Sequence, residues 1–155
     1  MTQAAKYDLQ TLSDHHNIRE LIVDYATAID SRDFDALDAI FTPDAYIDYR
    51  AMGGVDGRYP EVKAWLRSVL PAFPNTQHMV GNVSVRLDGD AARARTICFN
   101  PMEVVLEDGR TQVMFLGLWY VDRFKRGAHG WRMVERVEER CYGHNVPAAL
   151  SRATG

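Results

Sequence analysis

Cysteine is scarce in this chain: only Cys98 and Cys141 occur in 155 residues, and neither sits in a CxxC or other ligand spacing. Both fall within strand-like patterns, which reads as reduced, buried thiols of a cytoplasmic protein rather than a disulfide framework or a metal knuckle. No apolar run approaches the ~20 residues that cross a bilayer. The opening segment MTQAAKYDLQTLSDHH lacks the apolar centre of an export signal, so the expected location is the cytoplasm. Positive charge is not in excess, since the formal net charge is −3, and no nucleic-acid footprint emerges. Local basic groups such as Arg93/Arg95 and Arg132/Arg136/Arg140 are interleaved with acids and read as solvated faces and turns. A Gly-rich phosphate loop, an HExxH motif, internal repeats and low-complexity segments are all missing. These absences agree with a site that needs no metal and no organic cofactor.

What is present divides the chain in two. The first half carries helical periodicity, beginning with Ile18, Leu21, Ile22, Tyr25, Ala26 and Ile29 after a cap at Ser13 or Asp14. A short second helix over SRDFDALDAIF, ending before Pro43, follows, then a brief strand AYIDY and a loop MGGVDGR. Pro60 suits the first turn of a third helix with Val62, Trp65, Leu66 and Val69 inward. From Met79 the period changes to two, over about 79–87, 91–106, 112–124 and 131–142, with DGD, EDG and KRGAHG as hairpin loops. Pro101 marks a bulge or an edge position. Helices followed by a meander predict an α+β protein whose curved, mostly antiparallel sheet wraps the helices and leaves an open-ended conical cavity. One domain spans residues 1–155, with a core near 14–142 and a tail from 143 to 155.

Two polar residues interrupt the apolar patterns. Asp30 continues the ridge Ile22–Ala26 at four-residue spacing, at a helix end where the dipole disfavours negative charge. Burial and dipole would raise its pKa unless a donor opposes them. Asp30 could equally cap the second helix from outside. His78, in NTQHMVGN, stands at the mouth of an apolar strand, either bonded to a backbone carbonyl or presented to a cavity. Spacing alone does not make these two residues neighbours.

The segments YATAIDSRDFDALDAIFTPDAYIDYRA, NTQHMVGNV and GWRMVERVEER resemble the SnoaL-like group of the nuclear transport factor 2-like superfamily, and within it the scytalone dehydratases most of all. The resemblance implies a cone-shaped α+β barrel with a dry pocket. It also implies that Asp30 orients His78, which removes a proton next to a carbonyl while a β-hydroxyl leaves, and that Tyr25 or a near neighbour and Tyr49 polarise the carbonyl. In the similar dehydrochlorinase branch an arginine of the last strand assists the leaving group, and Arg136 matches it best. The dehydratases carry a second histidine on a middle strand. Here CFNPMEVV offers Asn100, a hydrogen-bonding group that cannot shuttle protons. Their serine and asparagine on the next strand are not evident in QVMFLGLWYV, so the resemblance reaches the reaction class and not scytalone itself.

The chemistry is coherent on its own terms. A weakly acidic C–H needs a base with a pKa near the working pH, and neutral imidazole supplies it. A carboxylate fixes its tautomer, and a phenol or a positioned water meets the developing enolate. The expected function is therefore a cofactor-independent lyase acting on a hydrophobic cyclic or aromatic carbonyl compound. A steroid-like ketone isomerase and a non-catalytic binding domain are the alternatives. Epoxide opening would need a second pocket carboxylate, and none stands out. Trp65 and Trp119 are assigned to substrate contact at the pocket wall, with core or interface roles open for both and for Trp131. Arg136 either faces the pocket or pairs outward with Glu135 or Glu138. His15 and His16 point about 100° apart on a helix and cannot readily share an ion; His16 with Glu20 supplies only two ligands. No membrane partner is expected. Phe99, Phe115, Trp119 and Val121 supply apolar residues to an outer sheet face, which relatives cover as homodimers or homotrimers.

Overall fold

The computed structural model describes residues 7–151. Helix α1 (Leu9–Ser31) buries Ile18, Ile22, Tyr25, Ala26 and Ile29, the stripe expected from the periodicity. It begins a turn earlier than expected: Asp8, not Ser13 or Asp14, is the cap, and its carboxylate accepts the Thr11 N–H at 2.7 Å. Asp14 lies inside the helix, 4% exposed. It accepts two hydrogen bonds of 2.7 Å from the Arg126 guanidinium and one of 3.0 Å from the Trp131 indole. These tie the helix to the hairpin between the last two strands.

The expected second helix is shorter and tighter, a 3-10 turn over Ala36–Ala39 that buries Leu37. It has no room to extend, because Phe41 already enters strand β1 (Phe41–Asp48) and the Ile40 carbonyl accepts the Met133 N–H at 2.8 Å. MGGVDGR contains a 3-10 turn at Arg50–Met52 and a short strand β2 (Asp56–Arg58), more order than a loop. Helix α2 (Tyr59–Val69) starts with Pro60 in its first turn, and the Glu61 carboxylate accepts the Arg58 N–H at 3.2 Å.

The meander follows as β3 (Met79–Asp88), β4 (Ala91–Val105), β5 (Thr111–Gly127) and β6 (Gly130–His144). Strict alternation along β4 turns Ala92, Ala94, Thr96, Cys98, Asn100 and Met102 inward. The β4–β5 ladder continues unbroken past Pro101, which pairs with Phe115, so no bulge forms there. The six strands form one open mixed sheet in the order β2-β1-β6-β5-β4-β3, with β1 parallel to β6. This is the expected α+β cone, with α1 and α2 on the concave side. A last helical turn, α3 (Ala148–Ser151), follows β6.

Cys98 is buried, and burial raises its thiol pKa to about 12, whereas Cys141 is exposed, against the expectation of two buried thiols. Among the described residues no helix is long and apolar enough to cross a membrane.

Hydrogen bonds from Arg126 lead the effects that hold the Asp14 carboxyl below the usual carboxylate range, outweighing its burial. Asp14→Ala should lower unfolding stability by about 1.5–3 kcal/mol in urea melts at pH 7. Because the folded pKa is the depressed one, this contribution is complete above the unfolded value of about 3.9 and disappears as pH falls through the folded value. Wild type and variant should therefore converge in strong acid.

Candidate active site

The segment before β3 is held in place by its backbone. The Asn75 carbonyl accepts the Glu103 N–H at 2.8 Å, and the Gln77 N–H donates to the Pro101 carbonyl at 3.1 Å. Laid along β4 in this way, the chain delivers His78 to the end of α1. There the Asp30 carboxylate accepts the His78 backbone N–H at 2.7 Å and the Thr76 hydroxyl at 2.9 Å, and it lies 2.6 Å from His78 Nδ1. A carboxylate at this distance makes Nδ1–H the donor, so that a neutral ring carries its lone pair on Nε2. The His78 side chain is only 7% exposed.

Arg32, the residue that ends α1, supports the pair. Its backbone is left-handed at φ 61°, uncommon for a residue with a side chain. Its guanidinium compensates by donating to the Ile29 carbonyl at 2.7 Å, the Phe73 carbonyl at 2.9 Å and the Thr76 hydroxyl at 2.9 Å. Burial pushes the Asp30 carboxyl up, but the His78 side chain and N–H, then the Thr76 hydroxyl, outweigh it and bring it below its ordinary value. The donor that opposes desolvation is therefore present.

His78 opens onto a cavity of about 590 Å³, within the range of small-molecule sites. Its walls are largely apolar, from Ile29, Met52, Leu66, Met102, Leu116 and Leu118. Tyr25, Tyr49, Asn100 and Trp65 also line it. The Tyr25 and Tyr49 hydroxyls are 2.6 Å apart, so one donates to the other and the second keeps its proton free for a ligand. Burial lifts Tyr25 to about 12 and Tyr49 well above an ordinary phenol, which keeps both neutral at working pH. Gly54 has no side chain because a Cβ there would stand 2.7 Å from that of Tyr49 and 3.0 Å from the Trp65 ring. Asn100 is buried, and its Oδ1 accepts no hydrogen bond from a described residue. Val146 and Leu150, from the tail, complete the wall.

Two expected substrate contacts lie elsewhere. Trp119 sits on the convex face, where the Arg95 guanidinium covers its ring at 4.2 Å, outside the cavity. Arg136 is 0% exposed and forms the floor beneath the tyrosines rather than the cavity lining. It pairs with neither Glu135 nor Glu138. Asp122 of β5, also 0% exposed, accepts both its Nε–H and an Nη–H at 2.8 Å. The guanidinium is stacked between Tyr25 and Tyr120, 4.0 and 3.9 Å from the two ring centres.

Glu138 corrects the expectation that no second pocket carboxyl exists. It lines the cavity, and no hydrogen bond or ion pair with a described residue holds it. Burial leads the effects that raise it to about 8. Its partner-free position was hidden by a register shift: β6 pairs Met133 with Phe124 but Glu135 with Arg123. That bulge moves the inward set from Trp131 and Met133 to Arg136, Glu138 and Arg140. The short range 131–136 carries no Gly or Pro to signal it. Among the described residues no three His, Cys, Asp or Glu side chains converge as a metal site.

The model of the SnoaL-like domain matches residues 10–137. The chain belongs to that family. SnoaL-like relatives include an uncharacterised protein of Mycobacterium tuberculosis, 59% identical over 131 residues, covering 84% of this chain and 88% of the relative. Among solved structures, a Kribbella flavida protein superposes with a TM-score of 0.81 at 26% identity, covering 92% of this chain and 99% of that one. A hexachlorocyclohexane dehydrochlorinase does so with a TM-score of 0.79 at 21% identity, covering 92% and 95%. A proposed scytalone dehydratase of Novosphingobium aromaticivorans gives 0.78 at 18% identity, covering 89% and 91%. At 18% and 21% identity the last two likenesses establish the shared fold.

Removing Asp122 would leave the Arg136 charge buried and unpaired. Asp122→Ala should therefore cost about 3–5 kcal/mol of stability, read by chemical denaturation.

Proposed function

We propose that this SnoaL-like protein is a cofactor-independent lyase. It would remove a proton next to a carbonyl of a hydrophobic cyclic or aromatic molecule and eliminate water or a similar leaving group. The observation that carries the reading is the imidazole of His78, bonded through Nδ1 to Asp30 at 2.6 Å and lining an apolar cavity. In this reading Nε2 takes the proton, and Asp30 holds the tautomer and stabilises the imidazolium that forms. The Tyr25–Tyr49 pair, neutral and sharing one hydrogen bond, presents an O–H to the carbonyl oxygen as the enolate develops. Desolvation by the apolar walls strengthens both interactions. The dehydrochlorinase and dehydratase folds that superpose on this chain support a lyase class and leave the substrate to experiment.

The convex face carries Ile97, Val113 and Tyr142, exposed, beside a Phe99–Phe115 stack with ring centres 5.8 Å apart. We read it as the surface that a homodimer or homotrimer covers. Sedimentation of the purified protein should give two or three times the mass of one chain, and a single-chain mass would remove that reading.

A panel of β-hydroxy and β-chloro cyclic ketones, with enone formation followed by absorbance, tests the chemistry. His78→Ala should lose about 10²–10⁴-fold in rate on every member that wild type converts. Asp30→Asn should fall in the same direction, with KM little changed. Wild-type rates no higher than those of His78→Ala would sink the proposal.

A further inference from the structure

We propose that Glu138 is a further catalytic residue, the acid that hands a proton to the departing hydroxyl from the cavity wall formed by β6. This rests on the elimination reading above and adds to it the group that makes water, rather than hydroxide, the leaving species.

Geometry makes the assignment. Glu138 lines the same cavity as His78 and the two tyrosines, yet it is not held by any of the cations near it. Arg136, two residues before it on β6, gives its Nε–H and one Nη–H to Asp122 and lies between the rings of Tyr25 and Tyr120, while its other Nη is buried and bonds to no described residue, Glu138 included. Arg140, two residues after it, lines the cavity but makes no ion pair with it. The other groups that face it reinforce its neutrality. Tyr120 stands opposite on β5, with Asp122 beyond it on the same strand. Asp48 of β1 adds a second negative charge, and Tyr25 of α1 and Tyr49 are neutral phenols. Cys98 of β4 is a neutral thiol. Asp30 is negative but engaged with His78, Thr76 and the His78 backbone. Burial, together with Asp48 and Asp122, outweighs Arg136 and lifts the carboxyl to about 8. An unpaired carboxyl in such a setting is a proton donor at neutral pH. Elsewhere on the same cavity wall Asn100, whose Oδ1 has no donor among the described residues, offers an acceptor for a substrate hydroxyl or for water.

The step balances. His78 Nε2 takes the proton from carbon, the C–C bond between the two reacting carbons becomes a double bond, and the C–O bond breaks. The Glu138 O–H transfers its proton to the departing oxygen, which leaves as water. The site then holds an imidazolium and a carboxylate, and one proton passing from His78 to Glu138 through water restores both.

The test compares Glu138→Gln, His78→Ala and wild type on two matched probes, 3-hydroxycyclohexanone and 3-chlorocyclohexanone, and on their benzo-fused analogues. Chloride leaves without a proton, so an acid matters for the hydroxy compound alone. Glu138→Gln should slow water loss by about 10²-fold or more and leave chloride loss near the wild-type rate. Water loss by wild type should decline as pH rises through about 8, where Glu138 loses its proton, and this limb should vanish in Glu138→Gln. Carbon-13 spectra of glutamate-labelled protein without substrate should show one δ-carbon titrating far above the rest, missing in Glu138→Gln. That signal also reports on a folded variant, because the other resonances should stay in place. If Glu138→Gln slows both probes equally or neither, or if no high-titrating glutamate exists, the acid role is wrong while the His78 reading stands. If His78→Ala matches wild type on both probes, the elimination reading fails and takes this role with it.

Discussion

The carboxylate of Asp30 joins the two halves of the chain. It accepts hydrogen bonds from residues 46 and 48 positions later, so the end of α1 and the beginning of β3 form one rigid corner. Charge-assisted bonds of this kind are about twice as strong as neutral ones, which suits a joint between a helix and a sheet that otherwise meet mainly through apolar contact. Arg32 extends the corner. Its left-handed backbone turns the chain out of the helix, and its side chain returns to hold Thr76, the donor to Asp30. The orientation of the imidazole toward the cavity follows from this corner.

The cavity divides into regions of different electrostatic character. At the α1 end, the Asp30 carboxylate sits behind the His78 imidazole. Across the floor, Arg136 and Asp122 cancel each other's charge beneath the tyrosines, so the phenols meet a polarised but net-neutral base. On β6, Glu138 is a carboxyl without a partner among the described residues. An imidazole, paired hydroxyls and a carboxyl raised by burial thus share one apolar chamber.

Much of this was legible in the residues, for identifiable reasons. The inward stripe of α1 follows from three- and four-residue spacing, and the meander from a period of two with glycine-bearing loops. Asp30 could be placed on the buried ridge, while its neighbour could not, since nothing local relates positions 30 and 78. The resemblance supplied that pairing, and the geometry brings the two within a hydrogen bond. Trp119 was assigned both to the pocket wall and to the outer sheet face, because an aromatic on a long strand suits either, and the ladder keeps only the convex placement. Glu138 was missed for a different reason, and Arg136 could be left only with both faces open. A single register shift in β6 exchanges inner and outer faces part-way along the strand, and strict alternation from Met133 then points the wrong way.

The stacked arginine has a consequence for how such a protein diversifies. Asp122 and Arg136 lie wholly inside the protein, so a change at either alone strands a charge, whereas replacing both by apolar residues can be neutral. One-step mutational paths through the floor are therefore closed. The walls carry Met52, Met102 and Met114 with Leu116 and Leu118, flexible or easily exchanged side chains whose substitution reshapes the chamber at low cost. Lineages built on this frame should differ in what they admit long before they differ in the ground beneath it.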